Sequence, residues 1–139
     1  MFAADFVLDA SVTLSWAFED EVTPEADSVL ERLRTKSAFV PPIWPFEVTN
    51  GLVVAERKGR ITLNDAITFL SSLRHLPISI FLGFFEIPLE QLARVAQDTG
   101  LSAYDASYVY LAKLQHLPLA TLDKSLAHAA RSYGVVLLI

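Results

Sequence analysis

Four acids carry the chemistry that this 139-residue chain could perform: Asp9, Glu47, Asp105 and Asp123. Asp9 and Asp123 each follow a short apolar run, 5–8 and 119–121, and each stands directly before a helix-forming segment. Glu47 lies in the first turn after Pro45, and Asp105 falls three residues after Ser102 in a Ser-x-x-Asp arrangement. Taken singly, each position suits an acid that caps a helix or complements its N-terminal dipole. Taken together, four carboxylates converging on one small volume raise one another's pKa or destabilise the fold unless a cation offsets them. The chain has no cysteine, and His75, His116 and His128 are widely separated, so oxygen atoms must hold any such cation. Oxygen donors suit magnesium, manganese or calcium. A divalent ion held there would lower the pKa of a bound water, orient it in line with a phosphodiester and stabilise the leaving oxygen, as one ion or a pair. Asn50, three residues after Glu47 and on the same helix face, would add an amide beside that carboxylate.

The elements that must position these acids follow from the apolar spacing. Strands are predicted over 5–8, 38–40, 78–81, 119–121 and 135–138, the last being a continuous run of valine and leucine of the kind buried on both faces. Helices are predicted over 11–18, 24–36, 44–58, 62–75, 88–99, 102–115 and 124–133. Their punctuation is physical: Pro24 and Pro45 in first turns, Thr62 and Ser102 as caps, and Gly59, Gly100 and Gly134 just past the ends. Inward stripes are expected from Val48, Leu52, Val53 and Ala55, from Ala66, Phe69, Leu70 and Leu73, and from Ala106, Val109, Tyr110 and Leu114. Short apolar strands alternating with amphipathic helices give an α/β fold, a single-domain three-layer α/β/α sandwich over 1–139 with a mainly parallel sheet of about five strands. Ligands of such sheets bind beyond the carboxyl ends of the strands, where strand order reverses. Asp9 and Asp123 stand at that kind of position.

Composition bounds the rest. The hydrophobic fraction of 53% is high and the charged fraction of 19% low for a soluble domain, which leaves apolar surface for a second chain to cover. The longest apolar stretch, 76–88, is short for a membrane span and contains Pro77 and Glu86. Residues 1–5 carry no basic segment and lead straight into a strand, so a cytoplasmic location is expected. The net charge of −5 argues against a broadly basic surface that grips nucleic acid by its phosphates alone. That argument weakens where the acids are gathered in one site and neutralised by a bound cation.

The segments Val7-Leu8-Asp9-Ala10-Ser11, Pro45-Phe46-Glu47-Val48-Thr49-Asn50, Leu101-Ser102-Ala103-Tyr104-Asp105-Ala106 and Ala120-Thr121-Leu122-Asp123 resemble the four acidic motifs of PIN-domain toxins of the VapC type. The motifs occur in the same order and at similar spacing, and the resemblance covers essentially the whole chain. It implies a magnesium- or manganese-dependent endoribonuclease, the toxin of a toxin–antitoxin pair, that forms a homodimer and is inhibited by a small cognate antitoxin protein. It also implies that Asp9, Glu47, Asp105 and Asp123 ligate metal directly or through water, while Ser11, Asn50 and Thr121 orient them.

Other residues admit two readings. Arg57, Lys58 and Arg60 could touch RNA phosphates or an antitoxin carboxylate, or simply complement a helix C-terminus. Glu19, Asp20 and Glu21 read as a solvated turn outside the site, and Trp16, Trp44 and Phe46 as packing residues. The run 81–85, rich in phenylalanine, suits either an interface or a buried edge. The alternative functions are a PIN-like fold without catalysis and a receiver-like magnesium-binding module. Against the receiver, the strand over 78–81 ends without an acid to accept a phosphoryl group. Against an aspartyl-nucleophile phosphatase, Ser11 stands where a second acid would be needed.

Overall fold

A computed structural model describes residues 3–139; Met1 and Phe2, part of the chain start used to argue against a leader, lie outside the described residues. Strands β1 (Phe6–Leu8), β2 (Ala38–Val40), β3 (Ile78–Ile80) and β4 (Leu119–Ala120) form one sheet in the order β3-β2-β1-β4, parallel throughout. The chain steps outward from β1 to β2 and β3, then returns to lay β4 on the other side of β1. Strand order therefore reverses between β1 and β4. A receiver-like domain follows a different order, 2-1-3-4-5, so that reading is set aside.

Helices α1 (Ala10–Ser15), α2 (Pro24–Arg32), α3 (Trp44–Arg57) and α4 (Leu63–Leu73) make one packed group, joined by the contacts α1·α2, α1·α3 and α3·α4. Helices α5 (Leu89–Thr99), α6 (Ala103–Gln115) and α7 (Lys124–Ser132) make the other, centred on α6, which lies against β1 and β4. Because helices cover both faces of β1, all three of its residues are apolar and buried. Every residue from Ala106 to Ala112 is buried as well, as expected of a helix that packs on all sides.

The helix ends follow the sequence chemistry. Hydroxyls of Thr23, Thr62 and Ser102 accept the backbone N–H three residues on, and Gly100 closes α5 at φ 73°. Two expectations fail. The predicted fifth strand is reduced to a single bridge, Leu119 to Leu137, with Val136 71% exposed. A two-residue β4 offers too short a ladder for a neighbour, and at the sheet edge the last segment is covered on one side only. Leu114 is exposed rather than part of the inward stripe, because it lies beyond the buried stretch of α6. Among the described residues, no helix is long and apolar enough to cross a membrane.

Candidate metal centre

Asp9 sits where the chain leaves β1, pinned by its own N–H donating to the Ala120 carbonyl at 3.0 Å. Although Asp9 is the N-cap residue of α1, its side chain makes no capping bond. Its Oδ2 instead accepts the Ser11 hydroxyl at 2.5 Å and the Thr121 hydroxyl at 2.7 Å. Both hydroxyls are committed on their other side: Ser11 Oγ accepts the Leu122 N–H, and Thr121 Oγ1 accepts the Asp123 N–H, each at 3.0 Å. The loop after β4 is thereby tied to the turn after β1. Asp123 begins α7, and its Oδ1 accepts the Leu126 N–H at 3.0 Å, the plain capping role.

Glu47 arrives from the other helical group. Its helix lies close on α1: a Cβ at Gly51 would meet the Leu14 methyls at 2.7 Å, and the Trp44 indole N–H donates to the buried Thr13 hydroxyl at 3.3 Å. That contact sets the first turn of α3 beside the end of β1. Glu47 Oε1 accepts the Tyr108 hydroxyl at 2.6 Å. Tyr108 is wholly buried and is the one residue of this site that the acidic motifs do not contain. A signal for it existed, since Tyr108 stands three residues after Asp105 and so shares its helix face. Asp105 has its backbone N–H capped by Ser102, yet among the described residues its carboxylate makes no hydrogen bond. Asn50 is exposed and, among the described residues, bonds to none of the four acids.

The acids form a gradient of depth: Asp9 buried, Glu47 and Asp105 half-buried, Asp123 exposed. Burial raises the Asp9 carboxyl above its ordinary range; the two hydroxyls partly oppose this, and the charges of Asp105 and Asp123 add to it. Burial also raises Glu47, against the Tyr108 hydrogen bond and together with the charges of Asp9 and Asp105. Asp105 is raised by burial and then by Asp123. The phenol of Tyr108 is pushed far up by burial and by Asp9 and Glu47, so it remains an O–H donor. Asp9, Glu47 and Asp105 thus each feel the charge of neighbouring acids across the switch point, and the ion pairs among the described residues all lie elsewhere.

The donor set suits a hard divalent cation: all oxygen, acidic, partly desolvated and without a paired counter-charge among the described residues. Among the described residues no three acids or histidines are drawn into a ready-made cage. Magnesium does not require one, because it keeps several waters and is commonly held by one or two carboxylates directly. Asp9, Glu47 and Asp105 are the residues whose free oxygens could hold it, with Asp123 at the rim.

Among the described residues, the other candidates make no hydrogen bond or ion pair with the four acids. Arg60 is engaged with its own chain, donating to Asp20 and Glu21 at 3.3 and 2.8 Å with its guanidinium 4.3 Å above the Phe18 ring. Arg57 and Lys58 are exposed, as are His75, His116 and His128. The Trp16 indole donates to the Ala26 carbonyl at 2.9 Å, and with Trp44 it joins helices. Phe46 and Phe85 are exposed at 72% and 74%.

Known proteins resemble the chain along most of its length. The family model for the PIN domain matches residues 6–132. Exonuclease VapC9 of Pyrobaculum aerophilum is 36% identical over 93 residues, a match that spans 66% of this chain and 64% of the relative's length. The crystal structure of PAE2754, also from Pyrobaculum aerophilum, superposes with a TM-score of 0.71 at 25% identity, covering 96% of this chain and 83% of the other. With the family model spanning both ends of the acidic motif series, and a relative of the VapC type among its matches, the chain belongs to the PIN domain family.

Proposed function

We propose that the protein is a metal-dependent endoribonuclease of the VapC type, hydrolysing RNA phosphodiester bonds at the carboxyl edge of β1 and β4. The observation that carries this reading is that Asp9 is buried, Glu47 and Asp105 are half-buried, and all three are drawn into the field of other acids with no cation among the described residues paired to them. When bound there, magnesium or manganese supplies charge neutralisation and activation of a water for in-line attack. The protein's part is orientation. Ser11 and Thr121 fix the Asp9 carboxylate so that its other oxygen faces the site. Tyr108 holds Glu47 by one oxygen in the same way, and the α7 N-terminus fixes Asp123. Asp105 has no such hydrogen bond among the described residues, which leaves its carboxylate free to meet a bound cation.

The resemblance also brings two partners into the proposal: a second copy of the chain and a small cognate antitoxin. The apolar side chains that α4 leaves exposed, Leu63 and Ile67, give such a partner surface to cover. A cytoplasmic site of action accompanies the toxin role.

The test is cleavage of cellular RNA by the wild type and by Asp9→Asn, each with magnesium, manganese or chelator. Metal-dependent cutting that falls at least about a hundredfold in the variant is expected, since the lost group acts in the transition state. Chelator-resistant cutting unaffected by Asp9→Asn would sink the mechanism. Because the relative from Pyrobaculum aerophilum is named an exonuclease, a circular RNA belongs in the assay: linearised circles mark an endonuclease, and circles left intact while linear RNA is degraded mark an exonuclease.

A further inference from the structure

Beside the carboxylate edge lies a cleft of about 440 Å³, within the roughly 300–1,000 Å³ typical of small-ligand sites. Its walls are Pro42 and Ile43 after β2, Phe85 and Leu89 around the start of α5, and Ala103 and Tyr104 at the start of α6. No residue lining it is charged. Tyr104 directly precedes Asp105, and Ile43 holds the cap position of the helix whose first turn presents Glu47. The cleft therefore shares two of its walls with the helix starts that carry two of the acids. Tyr104 and Phe85 stand 64% and 74% exposed at its edge.

The lining decides what could enter. A phosphate gains nothing from walls without a cation, and a chain of net charge −5 cannot hold a polyanion by general attraction. A flat, uncharged nucleobase gains by stacking on an aromatic ring, provided that it is free of a duplex. Resting on the nuclease reading above, we propose that this cleft seats an unpaired nucleobase of the substrate strand adjoining the cleaved phosphate, with Tyr104 as its stacking platform. Tyr104 then acts by placing the strand rather than in the chemistry.

The experiment uses the Asp9→Asn protein, so that RNA survives, and a set of short single-stranded RNAs carrying 2-aminopurine at successive positions, whose fluorescence is quenched on stacking. One position is expected to be quenched. Tyr104→Leu should bind about tenfold more weakly and lose that quench, the loss of one base–aromatic stack, whereas Tyr104→Phe should keep both. A leucine fills apolar space equally well, so a purely structural side chain would tolerate it. Binding and quenching unchanged in Tyr104→Leu overturn the proposal. So does weaker binding accompanied by a change of oligomeric state in light scattering, which would make this face a contact between copies. In the Asp9-intact protein, metal-dependent cutting that Tyr104→Leu leaves unaltered removes the cleft proposal alone; no cutting by the wild type removes the nuclease reading and this proposal with it.

Discussion

Past α1, Asp20 and Glu21 lie on an exposed turn with Arg60 drawn across to them, its guanidinium resting on Phe18. At the carboxyl edge of β1 and β4, Asp9, Glu47 and Asp105 have hydroxyls, a buried phenol and one another, but no paired cation among the described residues. The first group is water-exposed and partly neutralised by Arg60, at little energetic risk either way. The second is desolvated and left charged or protonated by necessity. Acids arranged that way lower the stability of the empty protein, and the arrangement makes physical sense where a ligand from outside supplies the missing positive charge. The contrast separates structural acids from functional ones by their partners, where sequence alone separates them only by position.

The largest effect should come from supplying that charge. At about a hundred times its dissociation constant, a divalent cation that binds only the folded state adds about 2.7 kcal/mol, which raises the melting temperature by several degrees in a domain of this size. Scanning calorimetry should find this rise in the wild type and not in Asp9→Asn, while Asp20→Asn retains it. Equal rises in all three proteins would erase the distinction between the clusters.

In chelator, pH should discriminate next. Asp9, Glu47 and Asp105 have folded-state pKa values raised above their ordinary range, so the folded protein holds protons that the unfolded chain releases. The associated stability is fully present below the unfolded pKa values and is lost as pH rises through the folded ones. The metal-free wild type should therefore lose stability between the ordinary carboxylate range and the raised values. Asp9→Asn, which has no proton to lose there, should show a shallower slope and exceed the wild type in denaturant midpoint at neutral pH. A wild-type slope no steeper than the variant's would mean that the site's acids are not strained by one another.

A smaller effect, of about 1–2 kcal/mol on stability, is expected from Tyr108→Phe, which takes a hydrogen bond from a charged acceptor that water can partly reach. The sharper readout is metal binding against pH. The Tyr108 hydroxyl favours the charged form of Glu47, so its loss lets the proton compete better with a cation. Titration calorimetry should place the onset of binding at higher pH in the variant. Unchanged onset would confine Tyr108 to packing.

Tyr108 also marks where sequence reading stops. Ser11 and Thr121 are two residues from Asp9 and Asp123, so their neighbourhood is local and readable. The four acids are legible because helix starts and strand ends are written in capping residues and apolar runs. The Tyr108–Glu47 bond joins residues 61 apart across two helices: the spacing from Asp105 marks the helix face of Tyr108, but nothing local names Glu47 as its partner. Asn50 errs the other way: three-residue spacing places it on the Glu47 face, but one turn farther along α3 that face has already turned to solvent. The run over 135–138 has strand composition without a strand, because hydrogen-bonded extent depends on the length of the neighbouring β4, a tertiary fact.

Arg60 offers the smallest expected effect and the most direct challenge to the comparison. Its position after the Glu47 helix admitted a phosphate-contacting role, yet it is already held by Asp20, Glu21 and Phe18. Exposed ion pairs of this kind contribute little to stability and weaken with salt. Arg60→Met keeps an apolar stem over Phe18 and deletes only the charge, so the urea denaturation midpoint should stay close to that of the wild type, with any difference shrinking at high salt. RNA cleavage should stay within about twofold of wild type, because the acids proposed to hold the metal lie elsewhere. A tenfold or greater loss of cleavage, equivalent to about 1.4 kcal/mol in the transition state, would show that Arg60 leaves its acids to meet substrate. Asp20 and Glu21 would then be regulators of the site rather than its structural counterexample.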